Sequence, residues 1–140
     1  GFDPTPAIFE AGGLVRVLDI GKVCSLVLMN DAFIKSHPGT GEKVMQALYD
    51  AYDYYRQNVE TANKWFMEEA QLNGSDQKAC NIAASIEPNV AAKKRSEIRV
   101  TFSEDDFKIM QDAADFLEEK LQKKINMKQF VNNDFAMKAK

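Results

Sequence analysis

Val23-Cys24-Ser25-Leu26-Val27-Leu28-Met29 is the run whose reading decides the fold. It has no charge, glycine or proline, and its apolar residues fall on both faces of an extended chain. That pattern predicts a strand covered on both sides, as in a parallel sheet packed by helices. Upstream, Leu14 to Ile20 reads as another strand-like run. Before it stands Phe2-Asp3-Pro4-Thr5-Pro6-Ala7-Ile8-Phe9-Glu10-Ala11-Gly12-Gly13. Asp3 is suited to cap a short helix with Pro4 at its first position, where the missing N–H costs nothing, and Gly12-Gly13 to end it by allowing positive φ. The expected class is α/β and helix-rich, with few strands covered by several helices.

After His37-Pro38 the period changes from two to 3.6. Val44, Leu48, Ala51 and Tyr55 line one face of a helix from about residue 41 to 57. Asn58 is placed to cap a second helix with a stripe of Ala62, Trp65, Phe66 and Ala70, and Ser75 a third that reaches Ile86 before Pro88. Ile98 to Phe102 reads as a short strand or an extended connector. Ser103-Glu104-Asp105-Asp106 is a strong helix start, a serine cap with an acid three residues on. The helix it opens carries Phe107, Met110, Ala114, Leu117 and Leu121 at spacings of three and four. The tail, with Phe130, Val131 and Phe135, reads as a short helix or an arm docked on a neighbour.

Composition excludes several function classes. With 140 residues, 45% hydrophobic and 28% charged, the chain suits one domain with a real core rather than a disordered segment. The net charge of −3 and a single short basic run, Lys93-Lys94-Arg95, argue against nucleic acid as a partner. No stretch approaches a membrane span of roughly 20 apolar residues. Cys24 and Cys80 lack companions at metal-ligand spacing, so no metal site is expected; their pairing depends on whether the fold brings them together.

Catalytic residues are not found. The sole histidine, His37, has no assignable nucleophile or orienting acid. Gly39-Thr40-Gly41-Glu42-Lys43 imitates a phosphate loop, but its glycines are too close and Val44 stands where a magnesium-binding hydroxyl belongs. Tyr49 to Tyr55 offers an aromatic platform for a sugar or base, or simply a helix face packed on its neighbour. Asn73-Gly74-Ser75 matches a glycosylation acceptor and equally a common turn. No cofactor is expected.

The order of these landmarks resembles the C-terminal portion of ABC-importer substrate-binding proteins in the nitrate, sulfonate, taurine and thiamine-pyrimidine group, the type II periplasmic binding proteins. The Phe2-Asp3-Pro4 corner looks like the family's aromatic-Asp-Pro at the second crossing between lobes. Ser25 to Met29, leading through Asn30-Asp31-Ala32-Phe33-Ile34-Lys35-Ser36 to His37-Pro38, looks like its strand, short helix and proline before a long helix. Tyr52 to Ala62 resembles its helix, Asn and Glu-x-Ala joint, and Ser103 to Asp106 the acidic start of its last major helix. The similarity spans nearly the whole chain.

The resemblance implies a type II binding-protein-like lobe in a single domain, with residues 1–36 as its hinge-proximal α/β part and 37–140 as its mainly helical part. It further implies a non-enzymatic solute-binding component of an ABC importer that holds a small anionic or zwitterionic ligand between two lobes. Phe2 and Asp3 would face that ligand, Phe2 by packing and Asp3 through an amine or hydroxyl; the competing role is hinge packing for Phe2 and helix capping for Asp3. Partners would be the small-molecule ligand, the permease subunits and a missing N-terminal lobe. The location would be extracytoplasmic, in the periplasm or on the outer face of a bacterial membrane, with membrane contact only through an upstream lipid anchor. Rival readings are an enzyme of the thiamine-pyrimidine synthase type and a ligand-sensing module of a regulator.

Overall fold

A computed structural model describes residues 4–71 and 76–139. Its elements are α1 (Thr5–Ala11), α2 (Asp31–Ser36), α3 (Thr40–Gln57), α4 (Val59–Glu69), α5 (Gln77–Ile86) and α6 (Glu104–Leu121), with single 3-10 turns at Arg95–Glu97, Met127–Gln129 and Ala136–Lys138. There is no strand among the described residues. The expected α/β class, a type II binding-protein-like lobe with strands, is therefore corrected to an all-helical chain.

The correction has a local physical cause. Residues 15–29 form no helix, turn or strand, and no backbone–backbone hydrogen bond involves any of them among the described residues. An extended run becomes a strand only when a neighbour supplies the ladder. The two-sided cover inferred from the apolar pattern is also missing: Leu18 is 82% and Leu28 88% exposed. Ile98 to Phe102 proves to be a connector, one of the two expected forms.

The helix boundaries follow local chemistry. Gly12 closes α1 and Gly13 takes φ +70°, as the glycine pair predicts. Asn30 caps α2, accepting from the Phe33 N–H at 2.9 Å. Asn58 occupies the N-cap position of α4, but its side chain points backwards and donates to the Tyr54 carbonyl at 2.9 Å. Ser103 and Asp106 form a complete capping box at the start of α6. Asp3 and Ser75, expected as caps, lie outside the described residues, and the N-cap positions of α1 and α5 are taken instead by Pro4, expected at the first helical position, and by Asp76.

The chain forms two compact units. One comprises Gly1–Ile20 and Asp50–Ile98; there α1 packs on α5 and α5 on α4. The buried residues of α1 and α5 are small, Ala7 and Ala79, Cys80 and Ala84, and the unit also buries Asn63, Val90 and Ile98. The other comprises Gly21–Tyr49 and Arg99–Lys140. Its core is Met45, Ala136 and Ala139, with Met29, Leu48, Val100 and Phe135 packed around them. The tail is thus a docked arm. Asn133 clasps Phe102 reciprocally, its Nδ2 donating to the Phe102 carbonyl at 2.9 Å and its Oδ1 accepting from the Phe102 N–H at 2.7 Å.

Candidate functional site

Phe2 and Asp3, the ligand-facing residues implied by the resemblance, lie outside the described residues, as does the Asn73-Gly74-Ser75 acceptor. The remaining candidates can be placed. His37 stacks on Phe33 with ring centroids 4.3 Å apart, and its Nδ1 lies 2.9 Å from Ser36 Oγ and 3.0 Å from the Phe33 carbonyl. These contacts tie off the end of α2. The phosphate-loop look-alike is a helix start: Gly39 turns with φ +83°, α3 begins at Thr40, and Glu42 pairs with Lys138 at 3.2 Å.

The tyrosine-rich stretch divides by helical phase. Tyr52 and Tyr55 are half-buried, and burial pushes both phenols up. Tyr55 donates to Asn63 Oδ1 at 2.6 Å, and Asn63 Nδ2 donates to Asn81 Oδ1 at 2.8 Å, so the buried Asn63 is fully engaged on both ends of its amide. Tyr54 is more exposed. Its ring stacks on that of Trp65 with centroids 5.5 Å apart and planes within 6°. With Ala51, Tyr55, Ala62 and Phe66 they line an open groove between α3 and α4. Trp65 is 51% exposed, so the stripe that sequence periodicity assigns to a core instead forms an aromatic surface. The groove has no charged lining residue and suits a flat apolar face, not an anion.

Two charged clusters lie outside the groove, one in each unit. On the first unit, Asp53 receives Arg56 Nε at 2.8 Å and Arg95 Nη1 at 3.0 Å, and Arg95 also pairs with Asp50. Burial raises the Asp53 carboxyl, but the hydrogen bonds from Arg95 and Arg56 outweigh it and hold the group below the usual range. On the second unit, Asp106 is 2% exposed and is the hub of the cluster. Its carboxylate accepts from Arg99, from Lys22 Nζ at 2.6 Å, and from the Ser103 N–H and Oγ at 2.7 and 2.8 Å. Arg99 first, then Lys22 and the Ser103 backbone, hold it well below the carboxylate range. Asp106 is thus a buried, ion-paired and hydrogen-bonded carboxylate at the start of α6.

Cys24 lies 3.9 Å from Asp106 Oδ1, and burial followed by the Asp106 charge pushes its thiol up, the reverse of nucleophile activation. Cys80 is likewise raised by burial, and both cysteines are free. No group of three or more metal-ligating side chains occurs among the described residues, nor is any helix there long and apolar enough to cross a membrane.

Sequence reasoning identified Asp106 only as the acid of a capping box. Its partners Lys22 and Arg99 lie 84 and 7 residues away, and nothing in local spacing links them. The aromatic groove had a signal, the tyrosine run and the Trp65-Phe66 pair, but periodicity does not say which face remains uncovered. No family model matches the sequence, and no curated protein or solved structure is significantly similar to it.

Proposed function

We propose that the chain is a non-enzymatic solute-binding component of an ABC importer, presenting one wall of a ligand cleft to a small anionic or zwitterionic solute outside the cytoplasm. The absence of a sheet among the described residues removes the fold from the grounds for this reading. What carries it is the order of helix boundaries: the glycine stop at 12–13, the Asn30 cap, Pro38 before an eighteen-residue helix, the Asn58 joint and the Ser103 capping box. The apolar side chains exposed between residues 14 and 29, Leu18 and Leu28 above all, add support, because a chain that leaves so many in water is suited to completion by a further polypeptide. On this reading the N-terminal lobe is that polypeptide, and the permease subunits receive the loaded assembly.

Thermal unfolding with taurine, methanesulfonate, nitrate and a thiamine-pyrimidine precursor tests the reading. The chain alone is expected to show no saturable rise in Tm. Paired with the N-terminal lobe in the complete two-lobed protein, it is expected to respond to one of these solutes. A saturable shift by the chain alone, or none by the pair, would overturn it.

A further inference from the structure

The aromatic groove between α3 and α4 supports an inference that does not depend on the solute reading. Tyr54, Trp65 and Phe66 are each close to half exposed there, and the Tyr54 and Trp65 rings lie nearly parallel with centroids 5.5 Å apart. Neither of these two rings has a cation over it among the described residues, whereas Phe107 already carries Lys128 at 5.4 Å. An aromatic face attracts cations through its quadrupole, and tryptophan does so most strongly.

The charge beside the groove selects the sign of its occupant. Helix α4 ends on Glu68 and Glu69 with no basic residue in its last turn, so both carboxylates stand at the negative end of the helix dipole. Lys64 takes Glu68 at 3.8 Å. Glu69, one helical turn on from Trp65, is exposed and makes no ion pair among the described residues. Ring faces and an uncompensated carboxylate therefore share one face of α4, and a cation complements both.

Of the cationic side chains, arginine fits best. Its guanidinium is flat and weakly hydrated, stacks on aromatic faces, and presents a fork of donors that a carboxylate accepts in bidentate fashion; the lysine ammonium is a strongly hydrated point charge. A single exposed cation–π contact is worth only about 2–5-fold in affinity, too little to hold a small guanidinium compound in an open groove. The cation must then arrive on a larger surface, and tryptophan, tyrosine and arginine are the residues that dominate protein interfaces. We propose that this groove docks an arginine side chain of a partner polypeptide, its guanidinium face on Trp65 and its edge on Glu69.

Trp65 is the sole tryptophan of the chain, so its emission reports on this groove alone. Titration with an acetylated, amidated pentaarginine peptide, which has no ring of its own, is expected to change that emission saturably. Pentalysine of equal charge should bind more weakly by about 2-fold or more. In calorimetric titrations Trp65→Leu and Glu69→Gln should each weaken pentaarginine binding by about 2–5-fold, with the helical circular dichroism intact because both side chains are exposed. An emission that does not respond, equal affinity for the two peptides, or wild-type affinity in either folded variant would each overturn the proposal.

Discussion

Replacing Asp106 tests the account of the second unit most directly. The carboxylate is buried, whereas Lys22 and Arg99 are each about half exposed and can return to water when it is lost. The cost therefore falls short of the ~3–5 kcal/mol of a fully buried pair broken on one side. Asp106→Asn keeps an acceptor for the Ser103 groups but removes the charge that two cations meet. Hydrogen bonds to charged groups contribute about 1.5–3 kcal/mol, and discounting for the exposed cations gives an expected loss of about 2 kcal/mol. Asp106→Ala also removes the capping box and should cost about 1 kcal/mol more. Urea unfolding at pH 7, followed by circular dichroism, measures both. The sign with pH is fixed: the folded-state pKa is depressed, so the stabilisation is complete above the unfolded value of about 3.9 and is lost as pH falls below it. Wild type should lose stability below about pH 4 more steeply than Asp106→Asn. A cost under about 0.5 kcal/mol at pH 7, or parallel acid profiles, would refute the hub.

Three further outcomes are expected. A Cβ at Gly41 would stand 2.7 Å from the Phe135 ring, so Gly41→Ala should destabilise by about 1–3 kcal/mol and speed amide exchange in residues 130–139; a gain of about 1 kcal/mol, the usual result in an exposed helix, would count against the docked arm. Asn63→Ala strips both the Tyr55 hydroxyl and Asn81 of a buried partner and should cost about 2–3 kcal/mol in thermal or urea unfolding, where a near-neutral result would mean that water replaces the amide. In the complete two-lobed protein, Asp3→Asn should weaken zwitterion binding by about 1.5–3 kcal/mol by titration calorimetry, while stability without solute stays level; unchanged affinity would remove Asp3 from the ligand wall.

Helix ends were legible in the sequence because their chemistry is local. Gly12-Gly13 and the Ser103–Asp106 box act within one turn of chain, the first through the backbone itself and the second by pairing side chains with backbone groups three residues away. The long periodic helix α3 was legible for the same reason, its spacing being a property of one segment. Leu14–Ile20 and Val23–Met29 show the limit. Their composition favours a strand, but strand and sheet require a hydrogen-bonded ladder from a neighbouring segment, and the fold supplies none among the described residues. The same limit hid the sites. Only packing decided that Tyr55 turns inward to Asn63 while Tyr54 turns out to Trp65, and only the fold brought Lys22 and Arg99 to Asp106. Periodicity marks an apolar face but not its cover, and charge spacing along a chain does not reveal which charges meet across it.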